Sequence, residues 1–574
     1  MPLTAEDLEP LAFFADFDRS TLSALAEKAD VHTLEGGAAL FRQGDPSTDL
    51  YVVLTGRLIV VRKTGDGEDV VGYVRAGEPI GEMSLLSGDA HSASAFALRD
   101  TRLFRLPAAL FEDLFETRVD FASALARAIL HRARHPTASF SHAPPRVFAL
   151  VATSPSIEIE RVAEELKALI ARHGRLATII HENNNPDAAL FQQEARADIV
   201  LAPCRVGDSD WYRFVLRQSD RLFVFARRDA RPPTPFPLSP TPMSPARRFR
   251  LVDLVAVHEG QGNISLADWV SAVEANRIFH WRDEETKDRL ARAIIGRTVA
   301  LVLSGGGARA YAHVGVLAAM RERGLPVDFV GGASMGAIIA ACLAMGWGPE
   351  EIDARLRDAF VDSNPLSDHV MPVVALTKGE RVDERLKRHF GDTLIENLSI
   401  PFFCVSSELT GGRVCVHRRG LLRRALRASI SLPGVLPPVV EGRHLLVDGA
   451  VLNNFPTDLM VNVHRGLTIG VDVAREGSIS NTPFIDPPNF IGWVRRHGLT
   501  SAPPIVSLLM RSATARRDDK DKDGPDVLVE PTAPGVDLRD WKKYDVSVAN
   551  GYETAIAAFE RDEEKLANYC IDAG

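Results

Sequence analysis

Hydrophobic positions change their spacing several times along the chain, and each change marks a region. Leu22, Leu25 and Ala26 recur at helical spacing and predict a helix over residues 20–29. Short apolar runs punctuated by glycine follow, in AALFRQGD and LYVVLTGRLIVVRKTGDGEDVVGYVRAGE. Leu50, Val52 and Leu54 alternate with their neighbours, as in a strand with one buried face. Gly44, Gly56, Gly65, Gly67 and Gly77 fall at expected turns. Hairpins this close together predict a small barrel or jelly roll, closed by a helical stretch from Pro107 to about Leu130.

Prolines in RARHPTASFSHAPPR mark a boundary at about residues 132–146. Beyond it RVFALVA reads as a strand and IERVAEELKALIARHG as a helix stopped by Gly174. ADIVLAPC and RLFVFARR read as buried strands among helices, the alternation of an α/β layer with a parallel sheet. The proline-rich stretch from Arg231 to Pro245 should be a loop. From Arg297 the pattern sharpens into TVALVL as a strand, SGGGARA as a turn and YAHVGVLAAMRERG as a helix. VDFVGGAS is then a strand with a tight turn, and MGAIIAACLAMG a helix. RRDDKDKDGPD, near residues 516–526, reads as a solvated charged loop.

A length of 574 residues calls for two to four domains. With 45% apolar and 25% charged residues, the composition is that of a soluble globular protein. A net charge of −9 argues against a dedicated nucleic-acid binder. The longest apolar run, roughly Met335 to Trp347, is too short to span a bilayer, and MPLTAEDLEP has no secretory signal pattern. Cys204, Cys342, Cys404, Cys415 and Cys570 are scattered without metal-ligand spacing, so no metal site is expected. These features together predict a cytoplasmic, multidomain chain.

Gly332-Ala333-Ser334-Met335-Gly336 has the form G-x-S-x-G, with an apolar strand before it and an apolar helix after it. Small flanking residues let the chain turn sharply and lift the serine hydroxyl to the rim of the sheet. Gly305-Gly306-Gly307-Ala308-Arg309 also joins a strand to a helix, and its exposed amides fit either an oxyanion hole or a phosphate cradle. Gly305, Gly307 and Ala310 satisfy the loose dinucleotide pattern G-x-G-x-x-A, but Asp328 begins a strand where a ribose-binding acid should end one. A serine nucleophile needs a base. His313, His369, His389, His417 and His444 are available, with His313 read as a packed or capping side chain. Asp448, in HLLVDGAVLNNFP, follows an apolar strand and precedes a glycine turn.

At these residues the chain resembles the patatin-like phospholipase family. SGGGARA resembles its oxyanion loop, GASMG its nucleophile elbow, DGA its catalytic Asp-Gly-Gly/Ala, and RASISLPGVLPPV its proline-bearing segment before that aspartate. The resemblance implies a Ser334–Asp448 dyad without histidine and an oxyanion hole at Gly305, Gly306 and Gly307 with Arg309 beside it. It also implies an elbow braced by Gly332 and Gly336, and no cofactor. Ala310 stands where the family often has glycine.

The N-terminal region resembles a cyclic nucleotide-binding domain. FRQGD and Gly56 match its β-roll turns, and GEMSLLSGDAHSASA matches its phosphate-binding cassette, from Gly81 and Glu82 to His91 and Ser92. The family's phosphate-binding arginine is His91 here, which has no guanidinium fork and removes the main charged contact to cAMP or cGMP. A degenerate regulatory or docking domain is therefore expected.

This domain order resembles the neuropathy target esterase group of lysophospholipases. It implies an α/β chain: a β-roll with helices over residues 1–135, a Rossmann-like middle over 147–290, a patatin-type three-layer α/β/α domain over 297–475, and an extension packing on it over 476–574. The implied substrate is a lysophospholipid or phospholipid ester at a membrane surface, with peripheral contact only. Arg413, His417, Arg418, Arg419, Arg423, Arg424 and Arg427 form a basic run that reads either as a head-group attractor or as a solvated face. A catalytically idle scaffold regulated through the N-terminal domain is the alternative, but it would not need the serine, the aspartate and the glycine loop together.

Overall fold

The strand holding Leu50, Val52 and Leu54 is buried on both faces rather than one, and this organises the N-terminal region. Leu50, Val52 and Leu54 meet Phe14, Phe104, Phe111 and Phe121, whereas Val53 enters a second cluster with Leu58, Val74, Ala95 and Leu103. One face therefore packs on helices and the other fills a roll.

The computed structural model describes residues 3–134, 145–236, 251–258, 266–473 and 524–570, apart from positions 29, 65–66, 184, 208, 234–235, 364–365, 369, 371–372, 533–534 and 537–539 within those ranges. The centre of the 132–146 linker, most of the proline-rich stretch and residues 516–523 of the charged loop lie outside the described residues. The chain folds as two compact units, Met1–Gly260 with Ser271–Asn276, and Gln261–Val270 with Arg277–Gly574.

In the first unit, eight strands form two four-stranded sheets. They are β1 (Asp30–Leu34), β2 (Ala39–Phe41), β3 (Asp49–Thr55), β4 (Arg57–Thr64), β5 (Gly67–Arg75), β6 (Pro79–Ile80), β7 (Ser94–Ala97) and β8 (Thr101–Pro107). Their orders are β1-β8-β3-β6 and β2-β7-β4-β5, with antiparallel neighbours, which is a β-roll. The helical stretch after it is two helices, Ala108–Thr117 and Val119–Arg134. Arg118 between them is extended, and its guanidinium is held by Asp120 and Thr21.

The middle region is a parallel sheet in which β10 (Ala177–Ile179), β11 (Ile199–Arg205), β9 (Val147–Ala152), β12 (Arg221–Arg227) and β13 (Leu251–Val257) lie side by side in that order. Apolar spacing alone does not separate β10 and β13 from loops. Asp220, just before β12, accepts from the amides of Arg146 and Val147 and faces Arg57 and Arg99 of the roll. Arg99 also binds Glu194 at 2.8 Å. Burial pushes the Asp220 carboxyl upward, but Arg99, Arg57 and the two amides outweigh it and hold it below the usual range.

The second unit includes β14 (Arg277–Trp281) and the helix Glu284–Ile295, whose N-cap Asp283 accepts from the Thr286 amide. Its core sheet contains β15 (Thr298–Leu303), β16 (Phe329–Ala333), β17 (Phe402–Glu408), β18 (Arg413–His417), β19 (Val439–Glu441), β20 (His444–Asp448), β21 (Gly466–Val471) and β22 (Val527–Val529). The order is β19-β20-β17-β16-β15-β21-β22, with β18 paired to β17. β15, β16, β17, β21 and β22 run parallel, and β18, β19 and β20 form antiparallel ladders. Among the described residues no helix is long and apolar enough to cross a membrane.

Candidate active site

β17 acts as a template for two chain ends. Its residues Phe402–Val405 pair with Val330–Ala333 of β16, and its next residue, Ser406, pairs with Asp448 of β20. The end of β16 and the end of β20 therefore meet at successive register positions. Ser334 follows Ala333 directly, so the serine and the aspartate are brought together by strand pairing between segments more than a hundred residues apart in sequence.

Ser334 has φ +50°, in the left-handed region that costs a side-chain-bearing residue roughly 1–3 kcal/mol. The turn is tolerated because Gly332 and Gly336, two residues to either side, have no side chains to clash. A Cβ on Gly336 would lie 2.4 Å from the Ser304 carbonyl oxygen, and one on Gly332 would lie 2.7 Å from that of Leu303. The helix Ser334–Ala344 starts at the serine itself and packs on β16 and β17. Ser429 Oγ accepts from the Ser334 amide at 3.0 Å, and two residues on, the Ser431 carbonyl accepts from the Asp448 amide at 2.9 Å. One short segment of RASISLPG thus holds both partners.

Ser334 Oγ donates to Asp448 Oδ2 at 2.7 Å, while Oδ1 accepts from the Ala450 amide at 2.9 Å. Burial pushes the Asp448 carboxyl up to about 7, against the two hydrogen bonds that favour its charged form. A carboxyl so placed can exchange a proton near neutral pH, as a general base must.

The glycine loop reaches the same point. The Gly305 amide donates to the Asn454 carbonyl at 3.2 Å, and Asn454 Nδ2 donates to the Gly305 carbonyl at 3.1 Å. A Cβ on Gly305 would stand 2.8 Å from Ser334 Cβ and 2.5 Å from Asn454 Oδ1. Gly306 is pressed against Val473, and Gly307 has φ +56°. Because the Gly305 amide is committed to Asn454, Gly306 and Gly307 are the loop's candidate oxyanion donors. The Arg309 guanidinium donates to the Val536 carbonyl at 2.9 Å, which ties the loop to the C-terminal segment.

The histidines have other partners. His313 is fully buried, with Nε2 2.9 Å from the Ser304 carbonyl, and burial lowers it to about 4, so it is a neutral donor to the loop. His389 faces Asp358, His417 bonds Ser406 Oγ at 2.7 Å, and His444 faces Glu408. His369 lies outside the described residues. Asp328 is buried in a cluster with Arg292 and the Val299 amide, a structural role. Sequence reasoning does not find Ser429 and Asn454, since neither belongs to a motif by itself. The asparagine's place shortly after DGA is the available signal.

In the cassette, the helix Glu82–Ser87 is preceded by Gly81 at φ +96°, and Glu82 is buried. His91 is buried and stacked on Phe41 at 3.7 Å with rings nearly parallel, while Ser92 is exposed. Burial lowers the His91 imidazole, opposed by Asp45, so it is neutral at pH 7. In the basic run, Arg413 faces Glu408, Arg423 pairs with Asp392 and Arg427 with Asp383.

Residues 301–461 match the patatin-like phospholipase family model, and residues 31–118 match the cyclic nucleotide-binding domain. Human patatin-like phospholipase domain-containing protein 6 is 28% identical over 81% of this chain, which spans 39% of that protein. The Drosophila melanogaster protein named neuropathy target esterase sws is 27% identical over 80% of the chain and 37% of its own length. An uncharacterised NTE family protein of Mycobacterium bovis is 31% identical over 96% of both chains. With that match along almost its whole length, the chain belongs to the NTE family.

Proposed function

We propose that the chain is a serine acyl hydrolase that cleaves carboxylic esters of lysophospholipids or phospholipids through Ser334 and Asp448. The observation that carries this reading is the 2.7 Å bond from Ser334 Oγ to the Asp448 carboxylate, with that carboxyl raised to about 7. Asp448 takes the hydroxyl proton as Oγ attacks the ester carbonyl. The amides of Gly306 and Gly307 receive the developing oxyanion, where one well-aimed donor contributes about 3 kcal/mol. Collapse expels the glycerol-side alcohol, protonated by Asp448, and leaves the acyl group on Ser334. Water then attacks the acyl-enzyme, giving its proton to Asp448, and the fatty acid leaves as Ser334 regains its hydrogen.

The substrate class follows from the patatin-type site and from the relatives' names, and with it goes peripheral work at a lipid surface of the cytoplasm. A panel of lysophosphatidylcholine, diacyl phosphatidylcholine and triglyceride, assayed with purified protein, tests it. Fatty acid release is expected from the first two. Fluorophosphonate labelling is expected in the wild type and absent in Ser334→Ala. A chain that neither labels nor hydrolyses any of the three is the idle scaffold instead.

The cassette supports no tight nucleotide site. His91 is stacked under Phe41 where a guanidinium would have to meet the cyclic phosphate. Titration with cAMP and cGMP by calorimetry should give no heat at low millimolar ligand, and a charged hydrogen bond worth about 1.5–3 kcal/mol is what His91 forgoes. Restoration of binding by His91→Arg would support the same account.

A further inference from the structure

Arg427 ends the basic run of residues 413–427, and it is buried where Arg424, one turn earlier, is exposed. It sits in the last turn of the helix Leu422–Ser429, so it is neither a solvated side chain nor a head-group attractor. A buried guanidinium is costly unless its donors are taken. Its Nε lies 3.0 Å from Asp383 Oδ1 on the helix Glu380–Phe390, and its Nη1 donates to Ser431 Oγ at 2.5 Å. Gly379, at φ +80°, closes a further side: a Cβ there would stand 2.6 Å from Nη2.

These contacts converge on Ser431. Its Oγ donates back to the Arg427 carbonyl at 2.7 Å, which satisfies one of the carbonyls left open at a helix end. Side chain and main chain of Arg427 thus fix one hydroxyl, and with it the turn at residues 430–432. Both members of the dyad hang from this turn and the helix end before it. The Ser431 carbonyl accepts from the amide of Asp448, the last residue of β20, at 2.9 Å, and Ser429 Oγ accepts from the Ser334 amide at 3.0 Å. Ser429 and Ser431 are wholly buried, so no solvent replaces either bond. A shift of the turn would therefore act on both ends of the 2.7 Å bond from Ser334 Oγ to Asp448 Oδ2.

We infer that Arg427 is a positioning residue of the hydrolase site, holding the Ser431 turn from which Asp448 and Ser334 are aimed at each other, with Asp383 as its counter-ion. The inference rests on the Ser334–Asp448 reading and adds a residue that bonds to neither member of the dyad. Packing alone does not call for a guanidinium here, since an apolar side chain of similar volume would fill the space with no charge to desolvate. What calls for it is the planar fork, which serves the carboxylate of one helix and the hydroxyl beyond another at once.

Steady-state kinetics of the full chain on lysophosphatidylcholine, with fluorophosphonate labelling rates beside them, test this role. Arg427→Met and Ser431→Ala should each lower kcat about 30–100-fold with KM within about threefold, as a small misplacement of reacting groups does. Because both remove one hydrogen bond, their effects should not multiply: the double variant should fall no more than about threefold below the less active single one. Ser431→Thr, which keeps the hydroxyl, should recover most of the Ser431→Ala loss. Circular dichroism and the thermal midpoint report folding of each variant. If Arg427→Met does not fold, Arg427→Lys reads the same bond. Its ammonium has no fork to span Asp383 and Ser431, and kcat about tenfold below wild type is expected. A folded Arg427→Met with kcat within about threefold of wild type, or a loss carried by KM alone, would overturn the inference. So would losses that multiply in the double variant, or Arg427→Lys equal to wild type. A wild type that neither hydrolyses nor labels would refute the dyad reading and the inference with it, whereas an active wild type with an unimpaired Arg427→Met refutes the positioning role alone.

Discussion

Asp448 carries two consequences of opposite sign. As the proposed base it must be ionised, so log kcat/KM should climb with unit slope below pH about 7 and level off above it. For stability, a carboxyl raised from 3.8 to about 7 holds its proton more tightly in the folded chain than in the unfolded one. Ionising it therefore costs stability as pH rises between those values, and the full cost, on the order of a few kcal/mol, applies above about 7. Asp448→Asn should be inactive yet melt above wild type at pH 8, with the difference vanishing below pH about 4. A thermal melt series across pH reads this directly. Ser334 also holds strain at φ +50°, so Ser334→Gly should be stabilised as well as inert.

At the scale of elements, the site is an alignment of strand ends rather than of motifs. GASMG, SGGGARA and DGA are each legible in sequence because each needs small residues at fixed positions next to a strand. Their meeting is not legible, because it depends on β17 pairing β16 and β20 in consecutive register, through contacts remote in sequence. Apolar spacing predicts one continuous helix over residues 107–130 because it persists through the break at Arg118, whose extended backbone goes with a local ion pair to Asp120 and a tertiary hydrogen bond to Thr21. Ser429 and Asn454 are hidden for the same reason, since their work is done across the fold. Asn454 binds Gly305 through its backbone carbonyl and its side-chain Nδ2, so Asn454→Ala should keep the first bond, lose the second and loosen the loop that carries the candidate oxyanion donors. A fall in kcat of about 10–100-fold with KM little changed is expected from steady-state kinetics, since small misplacements of reacting groups cost that much. Asn454→Ser, which keeps a short donor, should recover part of it, whereas a variant that merely unfolds would lower active enzyme without this recovery.

Across the whole molecule, the two halves differ in what they have kept. The patatin-like half carries the serine, aspartate and glycine loop that the proposed chemistry requires, while the cassette of the β-roll holds a stacked imidazole, His91, in place of a guanidinium. The roll is nevertheless joined firmly to the middle sheet by Asp220, Arg57, Arg99 and Glu194. Asp220→Ala leaves two buried arginines without their shared partner and should destabilise the first unit by roughly 3–5 kcal/mol, measured by chemical denaturation. A folded-state carboxyl held low contributes stability above its unfolded value and loses it as pH falls, so the penalty should shrink in acid. The central claim concerns one covalent bond, and mass spectrometry can observe it. Acid-quenched enzyme, mixed briefly with lysophosphatidylcholine and digested, should yield the Ser334 peptide heavier by one fatty acyl group, and Asp448→Asn should yield none. Hydrolysis without acyl mass on that peptide, or an acyl group found on another residue, would contradict the account.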